Sequence, residues 1–295
     1  MITKIVKFKA TDGIILDGIL QKCEKNTDKI LIEVHGMTSN CFKEREKIIA
    51  NKVKELDVDT LCFNNRGSEI IKYCTKEDGE KILQGTAYED VEESYNDILG
   101  AIEFAVELGY NKIYLQGHSL GSTKIVYTYN KMLQENNKYM KNIKAVILLS
   151  LVDLTSVMQF LVKNADVDVV KIAKEKEIEK NLNYIIDCKA SFLPLVSVQT
   201  FLTYYRDNEE IDFAKYQEKD YEFEKLNNIK VPLFMRWGNV NEIINLPANE
   251  LVDLMNEKIL NNKKDINFID GATHNYRGKE EILAEEILKF IQNVD

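Results

Sequence analysis

The feature that most constrains this chain is the stretch Lys112-Ile-Tyr-Leu-Gln-Gly-His-Ser-Leu-Gly-Ser-Thr-Lys-Ile-Val126. It begins as a β-rich apolar run, passes through Gly117-His118-Ser119-Leu120-Gly121 and leaves with helical periodicity. A strand that turns into a helix around a G-x-S-x-G pentapeptide lifts the serine hydroxyl above the sheet on a strained turn. Glycine is needed on both sides, because backbone there packs against backbone. A helix starting at Ser119 aims its free N–H groups and positive dipole end at any oxyanion formed beside the serine. Ser119 is therefore the candidate nucleophile.

The rest of the chain reads as a frame for that turn. Residues 4–9 and 14–20 alternate around Thr11-Asp12-Gly13, which predicts an antiparallel hairpin. Ile30–Val34, Thr60–Asn64, Ala145–Leu149, Val231–Trp237 and Asp265–Ile269 are apolar runs of the kind buried in parallel sheets. Helical spacing marks Phe42–Leu56, Tyr88–Leu108, Leu246–Leu260 and Lys279–Ile291, while residues 68–87 read as a polar loop. Strands alternating with helices predict a doubly wound, mostly parallel α/β sheet opened by the hairpin. The gap from Ser150 to Lys230 exceeds what a crossover needs, and its surplus is helical in character. Residues 155–215 are thus expected to be a helical cap inserted in a core made of residues 1–154 and 216–295. Phe192–Val196 and Phe201–Tyr205 would supply the apolar wall of a pocket.

Composition excludes several classes. The net charge of −9 argues against nucleic acid and anionic membrane surfaces, which attract basic patches. No segment approaches the roughly 20 apolar residues of a membrane span, and the N-terminus lacks the apolar core of a signal peptide. The five cysteines show no C-x-x-C pair, which predicts reduced thiols and a cytoplasmic protein. Metal-type spacings and a phosphate-binding G-x-x-x-x-G-K are absent. The acidic stretches Glu89–Asp97 and Asp207–Glu224 read as solvated faces.

Five motifs in order, Val34-His35-Gly36, Asn65-Arg66-Gly67, the serine turn, Trp237-Gly238 and Gly271-Ala-Thr-His274, make the chain resemble the α/β-hydrolase superfamily. The likeness is to bacterial single-domain serine esterases and their uncharacterised relatives. It implies an ester-cleaving serine hydrolase with Ser119 as nucleophile and His274 as base. The backbone N–H groups of Met37 and Leu120 would form the oxyanion hole, while His35 and Arg66 would structure their loops. Neither cofactor nor metal is called for, and the expected partner is a small acyl substrate.

The third member of the triad is where the chain departs from the pattern. The family commonly carries Asp three residues after the glycine that ends the preceding strand, but Gly238-Asn-Val-Asn241 puts an amide there. Glu242 follows directly, and Asp153 lies just past the Ala145–Leu149 strand. Glu242 ranks first, Asp153 second and an uncharged Asn241 third. The same groups could serve acyl transfer or thioester hydrolysis, and the amide at 241 motivates a third reading as a catalytically silent binding protein.

Overall fold

A computed structural model describes residues 2–189, 192–243 and 246–294. The opening alternation becomes β1 (Ile2–Lys9) and β2 (Ile15–Lys22), an antiparallel pair. Then come β3 (Lys29–Val34), α1 (Glu44–Val53), β4 (Asp59–Phe63), β5 (Lys72–Thr75), β6 (Lys81–Gln84) and α2 (Ser94–Glu107). The serine stretch forms β7 (Lys112–His118) and α3 (Leu120–Gln134), followed by β8 (Ile143–Leu149). The long connection holds α4 (Leu154–Asn164), α5 (Val169–Ile178), β9 (Ile185–Asp187), β10 (Leu195–Ser197), α6 (Val198–Tyr205) and α7 (Glu224–Asn227). The chain finishes with β11 (Leu233–Val240), α8 (Ala248–Lys258), β12 (Lys264–Thr273) and α9 (Glu280–Val294).

Eight strands form one sheet in the order β1-β2-β4-β3-β7-β8-β11-β12, with β2 antiparallel to both its neighbours and every later pairing parallel. The apolar runs explain the parallel part, because helices cover both faces and no side of a central strand meets water. Ile49 and Val53 of α1 pack with Leu283, Ile287 and Ile291 of α9 on one face. Helices α2, α3 and α8 and the long connection cover the other. From β3 the chain goes first to β4 on one side and later to β7 on the other. The carboxyl ends of β3 and β7 therefore flank a topological switch point, where sheets of this type leave a crevice. Among the described residues no helix is long and apolar enough to cross a membrane.

Three expectations are corrected. Residues 68–87 are not simply a loop, since β5 and β6 pair antiparallel within them. The ribbon lies outside the main sheet and buries few side chains, so it leaves no hydrophobic period to read. The acidic stretch at Glu89–Asp97 is not a solvated face either. Glu89 and Asp97 are 1% and 0% exposed and face the buried cations Lys124 and Arg66. Charge counting along a chain misses such pairs, because each cation lies 31 or 35 residues away in sequence. Breaking a buried pair of this kind costs about 3–5 kcal/mol, since one charge is stranded. Arg66 also reaches Asp12 and Glu93, and so ties its loop to α2. The third correction concerns Phe201 and Tyr204, which are fully packed inside the protein. The acidic side chains of the other stretch, Asp207–Glu224, are exposed as expected, apart from Asp212.

Candidate active site

Ser119 joins β7 to α3 with φ 56° and ψ −126°, a backbone state that costs a non-glycine residue about 1–3 kcal/mol. The turn is held by its own hydrogen bonds. Ser119 N–H donates to the Leu149 carbonyl at 2.8 Å, and Ser122 Oγ bonds the Gly117 carbonyl, also at 2.8 Å. A Cβ on Gly121 would stand 2.1 Å from the Val34 carbonyl oxygen, and one on Gly117 2.4 Å from that of Gly121. On Gly36 it would meet the His118 carbonyl at 2.8 Å and Ser119 Cβ at 2.9 Å. These glycines are required by close approach, and together they clamp the His35–Met37 loop against the serine turn.

His274 follows β12 and Glu242 follows β11, so the sheet brings both to the carboxyl edge where Ser119 sits. His274 Nε2 lies 3.0 Å from Ser119 Oγ, and its Nδ1 lies 2.6 Å from Glu242 Oε2. The other Glu242 oxygen accepts from Ser150 Oγ at 2.6 Å and from the Gly238 N–H at 2.8 Å. Burial opposes the Glu242 charge, but the bonds from His274, Ser150 and Gly238 hold its carboxyl below the usual range. Glu242 arrives there through local backbone irregularity. The β11–β12 register shifts between Gly238 and Val240, and Asn241 then adopts φ 53°. A bulge followed by a left-handed residue re-aims the next side chain. Asn241 itself is left exposed. Asp153 is engaged elsewhere, accepting from Ser156 N–H and Oγ at the start of α4.

Two supporting residues escaped the sequence reading. Ser150, at φ 45°, donates to Glu242 and lies 3.0 Å from the Tyr276 hydroxyl, which donates to the Arg236 carbonyl. Its position directly after a buried strand, on the edge that holds the serine turn, was the only available signal. His118 is buried, and burial together with the nearby Arg45 charge pushes its pKa well below the usual value. The neutral ring donates Nε2–H to the His274 carbonyl at 2.7 Å. His35 also stays neutral, pushed down to about 3 by burial, and its Nδ1–H donates to the Gly36 carbonyl.

Met37 and Leu120 line the same crevice. Behind Met37, Thr38 sits at φ 52° and donates its N–H to Thr86 Oγ1 at 2.9 Å, while Thr86 Oγ1 donates to the Gly67 carbonyl. The crevice encloses about 460 Å³. Met37, Val152, Leu154, Val157, Phe192 and Ile243 make its apolar flank. Of the aromatic residues expected there, Phe192 lines it, whereas Phe201 stacks on Tyr205 away from it. Trp237 packs beneath the surface with its indole N–H on the Leu151 carbonyl. Among the described residues no cluster of His, Cys, Asp and Glu could hold a metal ion. A hydroxyl, an imidazole and a buried carboxylate in series can move a proton off the hydroxyl while the carboxylate stabilises the imidazolium.

No family model matches this sequence, and no curated protein matches it. Solved structures do. Est1E from Butyrivibrio proteoclasticus, with ferulic acid bound, is similar at TM-score 0.66 and 18% identity, over 98% of this chain and 99% of that one. The α/β hydrolase GrgF from Penicillium sp. sh18 is similar at TM-score 0.69 and 13% identity, over 100% and 99%. The Pyrococcus furiosus esterase Pf2001 is similar at TM-score 0.60 and 16% identity, over 100% and 92%. The chain has the α/β-hydrolase fold.

Proposed function

We propose that this protein is a serine hydrolase that cleaves an ester-type acyl bond through an acyl-enzyme. The observation that carries the reading is the unbroken hydrogen-bonded series Ser119–His274–Glu242 at the switch point of the sheet. Ser119 Oγ bonds the acyl carbon while His274 Nε2 takes its proton. The oxyanion then meets the N–H groups of Met37 and Leu120, and its collapse expels the alcohol, protonated by His274. Water attacks the acyl-enzyme, gives its proton to His274, and releases the carboxylic acid as Ser119 regains its hydrogen. The solved esterases of similar fold support this reading, as do the hydrogen bonds from His274, Ser150 and Gly238, which favour the charged form of the buried Glu242 carboxyl. Residues 155–215 act as the cap, and the apolar flank takes the acyl chain.

A fluorophosphonate probe tests the reading, with labelling expected at Ser119 and none in Ser119→Ala. Folded protein that resists the probe would instead be the silent binder. Turnover of matched esters, thioesters and amides over a range of acyl lengths then separates ester hydrolysis from the other acyl chemistries.

A further inference from the structure

The crevice has a second flank, charged where the first is apolar, and the acyl chemistry leaves it unused. Arg45 lines it while only 5% exposed. Its one protein partner among the described residues is Glu46, reached through a single Nη2, and its Nε is buried without a hydrogen-bond partner. A guanidinium carries five donors in a planar fork, so most of this fork is without a hydrogen-bond partner among the described residues. Arg45 is the second residue of α1, a helix of 10 residues whose N-cap, Lys43, makes no side-chain cap bond. Lys43, Glu44 and Arg45 all line the crevice, so the positive end of α1 borders it. Lys43 and Arg277 also line it, and neither forms an ion pair among the described residues. Two carboxylates share the flank. Glu44 leans to Lys47 on its own helix at 3.7 Å, and Glu280 sits in the first turn of α9.

We propose that this flank binds an anionic oxygen group, a carboxylate or phosphate, on the alcohol side of the ester. The preferred substrates are then esters with an apolar acyl chain and an anionic alcohol. Arg45 supplies the fork that matches such a group, and Arg277 and Lys43 add charge at the mouth. The inference deepens the ester-hydrolysing reading and rests on it for the identity of the bond cleaved.

The test compares three esters of one acyl group, namely 4-butanoyloxybenzoate, 4-butanoyloxyphenyl phosphate and the neutral 4-butanoyloxybenzamide. Each kcat/KM is divided by that ester's hydroxide-catalysed rate. At least one anionic ester should exceed the neutral one by roughly 10- to 100-fold, the scale of one or two charge-assisted hydrogen bonds. Which of the two leads separates carboxylate from phosphate. Arg45→Gln and Arg277→Gln should each move that ratio toward one, and because a ratio is read, loss of active protein does not imitate the effect. Arg277 is exposed, so its variant keeps the test available if Arg45→Gln does not fold. Calorimetry on the Ser119→Ala protein gives a readout without turnover, with 4-butanoyloxybenzoate or the phosphate expected to bind more tightly than the benzamide. Equal binding of all three overturns the anion site even if the enzyme is an esterase. Selective binding by a protein that cleaves none of them sustains the anion site and overturns the ester-hydrolysing reading instead.

Discussion

The two halves of the candidate site are built differently. The half around Ser119 is set by main chain. Gly36, Gly117 and Gly121 bring three backbone segments together at distances that leave no room for a Cβ, and backbone hydrogen bonds hold the turn. The half around His274 and Glu242 is set largely by side chains, through Ser150, Tyr276 and His118. A serine clamped by backbone cannot be moved by one residue without rebuilding the turn. A carboxylate on the loop after β11 can be, because the register shift past Gly238 and the left-handed Asn241 absorb the change. An amide therefore stands at 241 while a carboxylate one position later bonds His274.

The comparison can be broken at the series itself. Ser119→Ala and His274→Ala should each lower ester turnover by roughly 10⁶-fold, and the double variant should be little worse, because the groups act as a unit. Additive losses in initial-rate measurements would mean that the two halves do not work together. Next in size, Glu242→Gln should lower turnover by about 10²- to 10⁴-fold. Asp153→Asn should leave turnover within a few-fold, since that carboxylate caps α4. If the two results exchanged, the acid would lie on the other loop.

Smaller effects sharpen the contrast between lining and support. Phe192→Ala should shift the preferred acyl length, changing selectivity by roughly tenfold, the scale of a few methylene contacts. Phe201→Ala should cost about 3–5 kcal/mol of stability as a core truncation and leave the length profile in place. A profile moved by Phe201 alone would put the wall elsewhere.

The smallest effect is a pH slope. His35 and His118 are held neutral by burial, with His35 pushed down to about 3 and His118 well below its usual value. Both titrate near 6.5 in an unfolded chain, so below that pH the unfolded state binds more protons than the fold. Their contribution to stability is therefore complete above about pH 6.5 and falls as pH drops toward 3, by at most about 1.4 kcal/mol per unit for each. The depressed carboxyl of Glu242 adds its loss only below its ordinary titration range. Desolvation raises the buried carboxyls of Glu33, Asp153 and Asp212, which gives an opposite slope. Denaturant titrations at pH 7, 6 and 5 are therefore read as differences from the His35→Gln and His118→Gln variants, and flat differences would mean that both rings charge inside the fold.

What was legible in the sequence was what is local. Buried parallel strands announce themselves as apolar runs, and the serine turn and His274 stand in short motifs that the fold brings within 3.0 Å. The carboxylate that meets His274 was ambiguous because its position depends on a register shift in a strand pair and on the left-handed Asn241, neither of which leaves a compositional trace. Glu89 and Asp97 were misread because their cations come from other elements. Phe201 and Phe192 could not be told apart, since an aromatic residue reads the same whether it faces a crevice or a core.

The reach of the Ser119–His274 bond across 155 residues of sequence has a kinetic consequence. Loop closure over such a span happens only when the sheet from β7 to β12 has assembled, which makes this contact a late event in a slow, nonlocal topology. The single tryptophan, Trp237, lies on β11 and docks on Leu151, a closure of 86 residues. During refolding, tryptophan burial should therefore reach its final signal no later than ester turnover returns. Recovered activity then counts molecules whose last strand is in place, and the interval between the two signals times the arrival of β12.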